Sequence, residues 1–388
     1  MLRIKRAAGA LLVSISSAVV PAHAAEPVRI GIISEYSGQF AEFGSQMDAG
    51  IKIWLNEHGN QLAGHPVEFV RKDTAGPNPD AAKRMAQELI VNEHVDVLMG
   101  FGFTPNAAAV APLATTAGKP MIVLNAASTG LTTKSPLMIR TSFDLGQVAR
   151  AIALWASQNN IHNVATIVGD YTPGRDAEKA FTDAFAAHGG KVGLSLRVPP
   201  STVEFSPFLQ RVRDLKPDAV FVFLNGGNVA SGFLRGYKEL GLEAQGIKLI
   251  ATGDVVDETV LQVVGPLAIN TVSSYPYSMT HPSAENTRFV KGFEALNLPH
   301  ARPSTMAVSA YDAMELLDKA LRSSKDVHNG PAVAQALRGL KVTSPRGPIE
   351  IDAKTGDILQ RMYIRVTKSN NGLITNEEFD TIEPEKLQ

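Results

Sequence analysis

The chain has 388 residues, 44% of them hydrophobic, 19% charged and 6% aromatic, a balance that excludes a disordered chain and a polytopic membrane protein. Its 37 basic side chains stand against 38 acidic ones, so there is no basic excess to neutralise nucleic-acid phosphates. Cysteine is absent, which removes disulfides, thiolate metal sites, cysteine nucleophiles and a lipid-modified N-terminal cysteine.

Residues 1–24 hold Arg3, Lys5 and Arg6 and no acid, then an apolar run from Leu11 to Val20, then Ala22-His23-Ala24. That order reads as a secretory signal peptide cleaved after Ala24. A ten-residue run spans about 15 Å as a helix, half of the ~30 Å hydrocarbon core, which is too short for an anchor. The expectation is an exported, untethered periplasmic protein whose remaining 34 basic and 38 acidic groups leave it mildly acidic. Its length suggests two domains, or three.

Beyond the leader, Val28–Ile33, Val67–Arg71, Val95–Met99 and Met121–Leu124 read as short buried strands bounded by turn residues. Helices lie between them: Ala41 to His58 closed by Gly59, Pro79 to Asn92 entered through Asn78, and Pro105 to Ala117 preceded by Thr104 and closed by Gly118. The alternation recurs. Val164–Val168, Val192–Arg197, Ala219–Phe223 and Lys248–Ala251 are strand candidates, separated by helices Gly174–His188, Ser206–Leu215 and Val229–Leu240. A third stretch runs from a strand at Thr271–Ser274 through helices Ser283–Leu296, Ser304–Arg322 and Pro331–Leu340 to late strands Ile349–Ile351 and Met362–Val366. Two sets of four parallel strands predict two α/β lobes. With no low-complexity linker between them, several chain crossings are expected.

Ligands of open parallel sheets bind beyond the carboxyl ends of the strands. Those ends carry Ser34 to Gly44, Gly100-Phe101-Gly102-Phe103-Thr104-Pro105 and Asn125-Ala126-Ala127-Ser128-Thr129. Hydroxyls and unsatisfied N–H groups at helix starts suit an anion, so Thr104 and Ser128 would flank one carboxylate. The plainer reading makes Thr104 an N-cap and Ser128 a turn residue. Gly100-Phe101-Gly102 is half of a dinucleotide fingerprint, but Pro105 stands where the third glycine belongs. No phosphate-loop lysine motif, zinc-helix histidine pair or GxSxG elbow occurs, and Glu377-Glu378 falls in a polar stretch that reads as a solvated face. Neither catalysis, cofactor nor metal is expected.

Several motifs then fall together: Ser37-Gly38 with Phe43-Gly44, the Gly100 to Pro112 segment, Asn125-Ala126-Ala127-Ser128, Val168 to Asp176, Phe205 to Leu209, Ile250-Ala251-Thr252-Gly253-Asp254 and Ser344 to Pro348. In this order they resemble the periplasmic leucine/isoleucine/valine-binding proteins, the substrate-binding subunits of branched-chain-amino-acid-type ABC transporters. The resemblance implies the type I fold: α/β, two Rossmann-like lobes with parallel sheets joined by a three-crossover hinge. Lobe 1 would comprise 27–141 and 272–346, and lobe 2 144–270 and 348–388. It also implies that Thr104 and Ser128 supply hydroxyls, and Ala126 and Thr104 N–H groups, to a ligand carboxylate. Phe43 and Phe103 would line the first lobe. Tyr171 or Pro173 would face them, Asn225 would follow the second lobe's third strand, and Asp254 would lie near the acceptor of an amino group. Phe101, Tyr275 and Tyr277 are further candidates for an apolar wall, with core packing as the other reading.

The expected ligand is a small carboxylate, a branched-chain or other hydrophobic amino acid or an aromatic acid. The expected partner is an inner-membrane ABC permease, and the expected state is a monomer. The alternatives are a ligand-sensing module for a membrane receptor and an exported α/β enzyme.

Overall fold

The first sheet starts on a strand, β1 (Val28–Ser34), that is apolar almost throughout and buried on both faces, as a central parallel strand requires. In the computed structural model, which describes residues 26–299, 301–324 and 326–387, β1 leads into helix α1 (Ala41–Glu57), a hairpin of β2 (Gln61–Leu62) and β3 (His65–Asp73), and helix α2 (Pro79–Val91). The leader read at 1–24 lies outside the described residues. Asn78 caps α2 by accepting from the Ala81 N–H, with proline next in line, as the sequence predicts. Then follow β4 (Val97–Gly100), α3 (Thr104–Thr116), β5 (Met121–Val123) and β6 (Met138–Arg140). The sheet order is β2-β3-β1-β4-β5-β6, parallel except for the β2–β3 hairpin.

The chain crosses at 141–144 into helix α4 (Leu145–Gln158), capped by Asp144 through the Gln147 N–H. Next come β7 (Asn163–Gly169), α5 (Thr172–Ala187), β8 (Lys191–Val198), α6 (Ser206–Leu215), β9 (Ala219–Phe223), α7 (Asn228–Glu239), β10 (Lys248–Thr252), α8 (Glu258–Val264) and β11 (Val272–Tyr275). It returns at 276–283 to α9 (Ala284–Glu294), α10 (Thr305–Ser323) and α11 (Gly330–Leu337), and to a small sheet of β12 (Lys341–Ser344), β13 (Gly347–Ile351) and β14 (Ile358–Gln360). Arg361 leads the third crossing into β15 (Met362–Asn370) and β16 (Leu373–Ile382), which complete a seven-stranded sheet, β16-β15-β11-β10-β9-β7-β8. The molecule therefore has two α/β lobes joined by three crossings.

Three details differ from the sequence reading. Val272–Tyr275, expected in the first lobe, pairs with β10 and β15 in the second sheet. Ile349, Ile351 and Ile358, from the span expected in the second lobe, pack into the core around β1, α1 and α10. Glu377-Glu378 is no loose polar stretch: it lies in β16 opposite Arg365 and Val366, and Glu378 pairs with His281 at 2.8 Å. Strand pairing and one buried face decide this, and neither shows in local polarity.

The crossings are knit together. The Ser142 carbonyl accepts from Arg346 at 2.9 Å and from Gln360 at 2.8 Å, and the Tyr363 hydroxyl donates to the Arg346 carbonyl at 2.8 Å.

Candidate functional site

A small cavity of about 40 Å³ opens between the lobes at the carboxyl ends of the parallel strands, where the sequence argument puts it. Phe43, Gly102, Phe103, Thr104, Asn125, Ala126 and Ala127 line it from the first lobe. Phe143 comes from the first crossing, and Tyr171, Pro173, Phe223, Asn225, Gly226 and Asp254 come from the second lobe. Seven of the eight expected site residues thus meet around one cavity: Phe43, Phe103, Thr104, Ala126, Tyr171, Asn225 and Asp254. Ser128 does not line it.

Phe101 has a left-handed backbone, φ 65°, unusual for a non-glycine residue. This turn at the exit of β4 sends the Phe101 ring into the core, fully buried in the cluster that holds Ile33 and Val110. Phe101 is therefore not among the residues that line this cavity. Phe103, two residues on, packs with Phe43 at 5.6 Å and Phe40 at 4.9 Å between ring centroids. Tyr275 is nearly buried, its hydroxyl donating to Asp254 at 3.3 Å. Tyr277 belongs to the core, its hydroxyl donating to Asn286 at 3.1 Å.

Thr104 is the first residue of α3, with Phe103 in the cap position and no side-chain cap, so the N-cap reading does not hold. Its hydroxyl oxygen accepts from the Ser128 N–H at 3.3 Å, which leaves its own proton to donate. As a first-turn amide, the Thr104 N–H has no helix carbonyl to bond. The Ala126 N–H, by contrast, already donates to the Phe101 carbonyl at 3.0 Å, so the expectation that it reaches a ligand is corrected. The Ser128 side chain is buried. It faces Asp176 of α5, whose carboxyl is raised by burial and drawn back by Ser128 and the Thr129 N–H.

Behind the 126–128 loop lies Arg140, completely buried. It donates to the Ser128 carbonyl at 2.8 Å and pairs with Asp144 at 2.9 Å and Asp357 at 2.8 Å. By drawing a carbonyl away from the cavity, it orients the loop and sets a positive charge behind it. Sequence reasoning missed Arg140, because its partners are 4 and 217 residues away.

On the second lobe, Tyr171 donates to Asn225 Oδ1 at 2.5 Å and stacks on Phe223. Gly174 sits where a Cβ would come within 1.8 Å of the Gly169 carbonyl oxygen; only glycine lets the first turn of α5 press onto the end of β7. Phe223 ends a strand and was open to the strand-end rule. Phe143, in a crossing, carried no such signal.

Glu35 lies under the cavity floor, and a Cβ on Gly102 would stand 2.0 Å from its carboxyl oxygen. Burial pushes the Glu35 carboxyl up to about 7, against hydrogen bonds from Thr74 and Ser34 that lower it. Between the ordinary value of 4.5 and about 7, Glu35 holds its proton when folded and loses it when unfolded. Stability therefore falls as pH rises through that window. Glu258, raised to about 7, and Asp254, raised to about 6, both by burial, act in the same direction. Glu35→Gln is expected to flatten part of this slope and to melt higher than the parent above pH 7, as checked by thermal denaturation from pH 4.5 to 8. A variant curve parallel to the parent's would contradict the assignment.

Residues 27–372 match the periplasmic binding protein family. A Leu/Ile/Val-binding protein homolog 6 of Brucella abortus (strain 2308) is 38% identical over 361 residues, 92% of each chain. A solute binding protein of an ABC transporter from Rhodopseudomonas palustris BisB5, in complex with 3,4-dihydroxy benzoic acid, is 42% identical; the match covers 92% of this chain and 98% of that one, with a TM-score of 0.87. Another from Rhodopseudomonas palustris HaA2, in complex with p-hydroxybenzoic acid, is 41% identical over the same shares, with a TM-score of 0.89.

Proposed function

We propose, for a chain that belongs to the periplasmic binding protein family, that it captures a small aromatic carboxylate between its lobes and delivers it unaltered to an inner-membrane ABC permease. The observation that carries this reading is the cavity. Phe43, Phe103, Phe143, Tyr171 and Phe223 wall it, and α3 begins at it with Thr104, which carries a hydroxyl and a first-turn N–H. Two relatives above 40% identity hold hydroxylated benzoic acids, which supports an aryl ligand.

The gross contact energy is of the order of micromolar binding, before the cost of association. Two charge-assisted hydrogen bonds contribute roughly 1.5–3 kcal/mol each. Burying about 120 Å² of ligand ring adds about 3 kcal/mol, against the roughly 8 kcal/mol of micromolar binding. Residues on both lobes surround the ligand, so closure and binding are coupled. We read the protein as an exported monomer, cleaved after Ala24, with no catalytic role. Among the described residues no helix is long and apolar enough to cross a membrane.

A branched-chain amino acid is the second reading, because Asp254 Oδ2 is buried without a partner and would accept from an ammonium. Thermal denaturation with benzoate, 4-hydroxybenzoate, leucine and phenylalanine separates the two. A ligand at a hundred times its Kd stabilises by about 2.7 kcal/mol. The benzoates are expected to raise the melting temperature and leucine to leave it unchanged. Stabilisation by leucine alone would reverse the ranking, and stabilisation by none of them would remove the carboxylate reading.

A further inference from the structure

We propose that Arg302 is a clasp between the lobes: a first-lobe side chain whose grip on the second lobe holds the cleft shut and sets how slowly a captured molecule escapes, whatever that molecule is. It rests on the preceding reading only in taking 4-hydroxybenzoate and benzoate as probes; the contact between the lobes needs no ligand.

The first ground is how Arg302 is mounted. It lies between α9 and α10, where Gln46 of α1, 1% exposed, holds the backbone on both sides of Pro303. Gln46 Nε2 donates to the Arg302 carbonyl at 2.9 Å, and Oε1 accepts from the Ser304 N–H at 2.9 Å. Ser304 in turn caps α10 through the Met306 N–H at 3.2 Å. The Arg302 backbone is thus fixed to the first lobe, whose core takes in α1 and α10, before the side chain leaves it. A side chain that starts from a fixed backbone loses less freedom when it grips.

The second ground is what it grips. Arg302 Nη1 donates to the Ile374 carbonyl of β16 at 2.6 Å and stands 3.7 Å from Glu258 Oε2 of α8. β16 is an edge strand of the seven-stranded sheet, and Ile374 packs in the core of the second lobe with Val260 and Leu261 of α8. Glu258 is 1% exposed; its Oε1 takes the Asn376 amide at 3.3 Å, and its Oε2 has no hydrogen-bond partner. The buried acid therefore keeps an open oxygen beside the Arg302 charge. Arg302 stands apart from the ligand space. A chamber of about 260 Å³ shares Phe43, Asn125, Gly226 and Asp254 with the cavity at Thr104, and Ala301 lines it, but Arg302 lines neither space. It acts on a ligand through closure. A contact made only with the lobes together slows opening and leaves entry into the open cleft unchanged.

Stopped-flow binding of 4-hydroxybenzoate and of benzoate, and small-angle X-ray scattering without ligand, compare the parent with Arg302→Met and Arg302→Lys. Arg302→Met is expected to speed dissociation about tenfold, the equivalent of one hydrogen bond from a charged group. The factor is expected to be the same for both acids, with association within about twofold of the parent's. Without ligand this variant is expected to scatter as a larger particle, because the closed fraction falls. Arg302→Lys keeps the charge but not the planar fork and is expected to fall between the two. Unchanged dissociation, or slower association in its place, overturns the clasp. An effect that differs between the two acids also overturns it, since that would put Arg302 on the ligand. Should Arg302→Met not fold, dissociation from Arg302→Lys at the parent's rate overturns it. If neither acid binds the parent, the aryl reading falls and scattering alone decides the clasp: Arg302→Met no larger than the parent overturns it.

Discussion

Thr104→Val is expected to weaken binding of 4-hydroxybenzoate by roughly 10- to 150-fold, the loss of one hydrogen bond to a charged group at about 1.5–3 kcal/mol. Valine keeps the shape and removes the hydroxyl of a residue that lines the cavity. It also removes the acceptor of the Ser128 N–H, so the unliganded variant should melt somewhat lower. Thr104→Ser, which restores the hydroxyl, is expected to recover most of the affinity; this separates ligand contact from packing. Ser128→Ala is expected to cost less than about tenfold, because the Ser128 hydroxyl stands outside the cavity lining and faces Asp176. Titration calorimetry on the three variants checks the order. Were Ser128→Ala the more damaging change, the acid end of the ligand would lie nearer α5 than this geometry implies.

What was legible in the sequence follows from which forces are local. Central strands such as Val28–Ser34, interrupted only by the partly exposed Arg29, and Ala219–Phe223 show themselves because burial on both faces demands mainly apolar runs. Helices with a proline and a cap, such as Pro79–Val91, mark their own starts. Leu145–Gln158 was missed although its apolar residues share one face: its start carries no proline, and its cap, Asp144, lies in the crossing between the two sheets. Leu373–Ile382 was missed because its polar residues are satisfied by tertiary partners, as where Asn376 donates to the Val256 carbonyl at 2.7 Å. At the site, the strand-end rule finds Thr104, Asn125 and Asp254. It cannot find Phe143 or Arg140, whose places depend on how a crossing is folded, nor tell that a left-handed Phe101 turns its ring inward.

The other large effect is expected at Arg346, which is 2% exposed and pairs with Asp312, 1% exposed, through Nε at 3.0 Å and Nη2 at 2.7 Å. Its remaining donors hold the carbonyls of Thr141 and Ser142 in the first crossing. Arg346→Met fills similar space but strands the Asp312 carboxylate in the core, where burial already pushes its pKa up against the pull of Arg346. Removing one partner of such a pair costs about 3–5 kcal/mol, on the order of 10 °C in melting temperature. Arg346→Met with Asp312→Leu removes both charges and is expected to regain most of that stability, since an apolar pair of like volume replaces a buried ion pair at little cost. Affinity should behave differently. Phe143, which lines the cavity, follows directly on the Ser142 carbonyl that Arg346 grips, and the double variant restores the core without restoring that grip. Melting temperature and aryl-acid affinity measured on the single and double variants should therefore part company, with stability recovered and binding still weakened. Full recovery of binding in the double variant would mean that Gln360, the other donor to the Ser142 carbonyl, holds the crossing by itself.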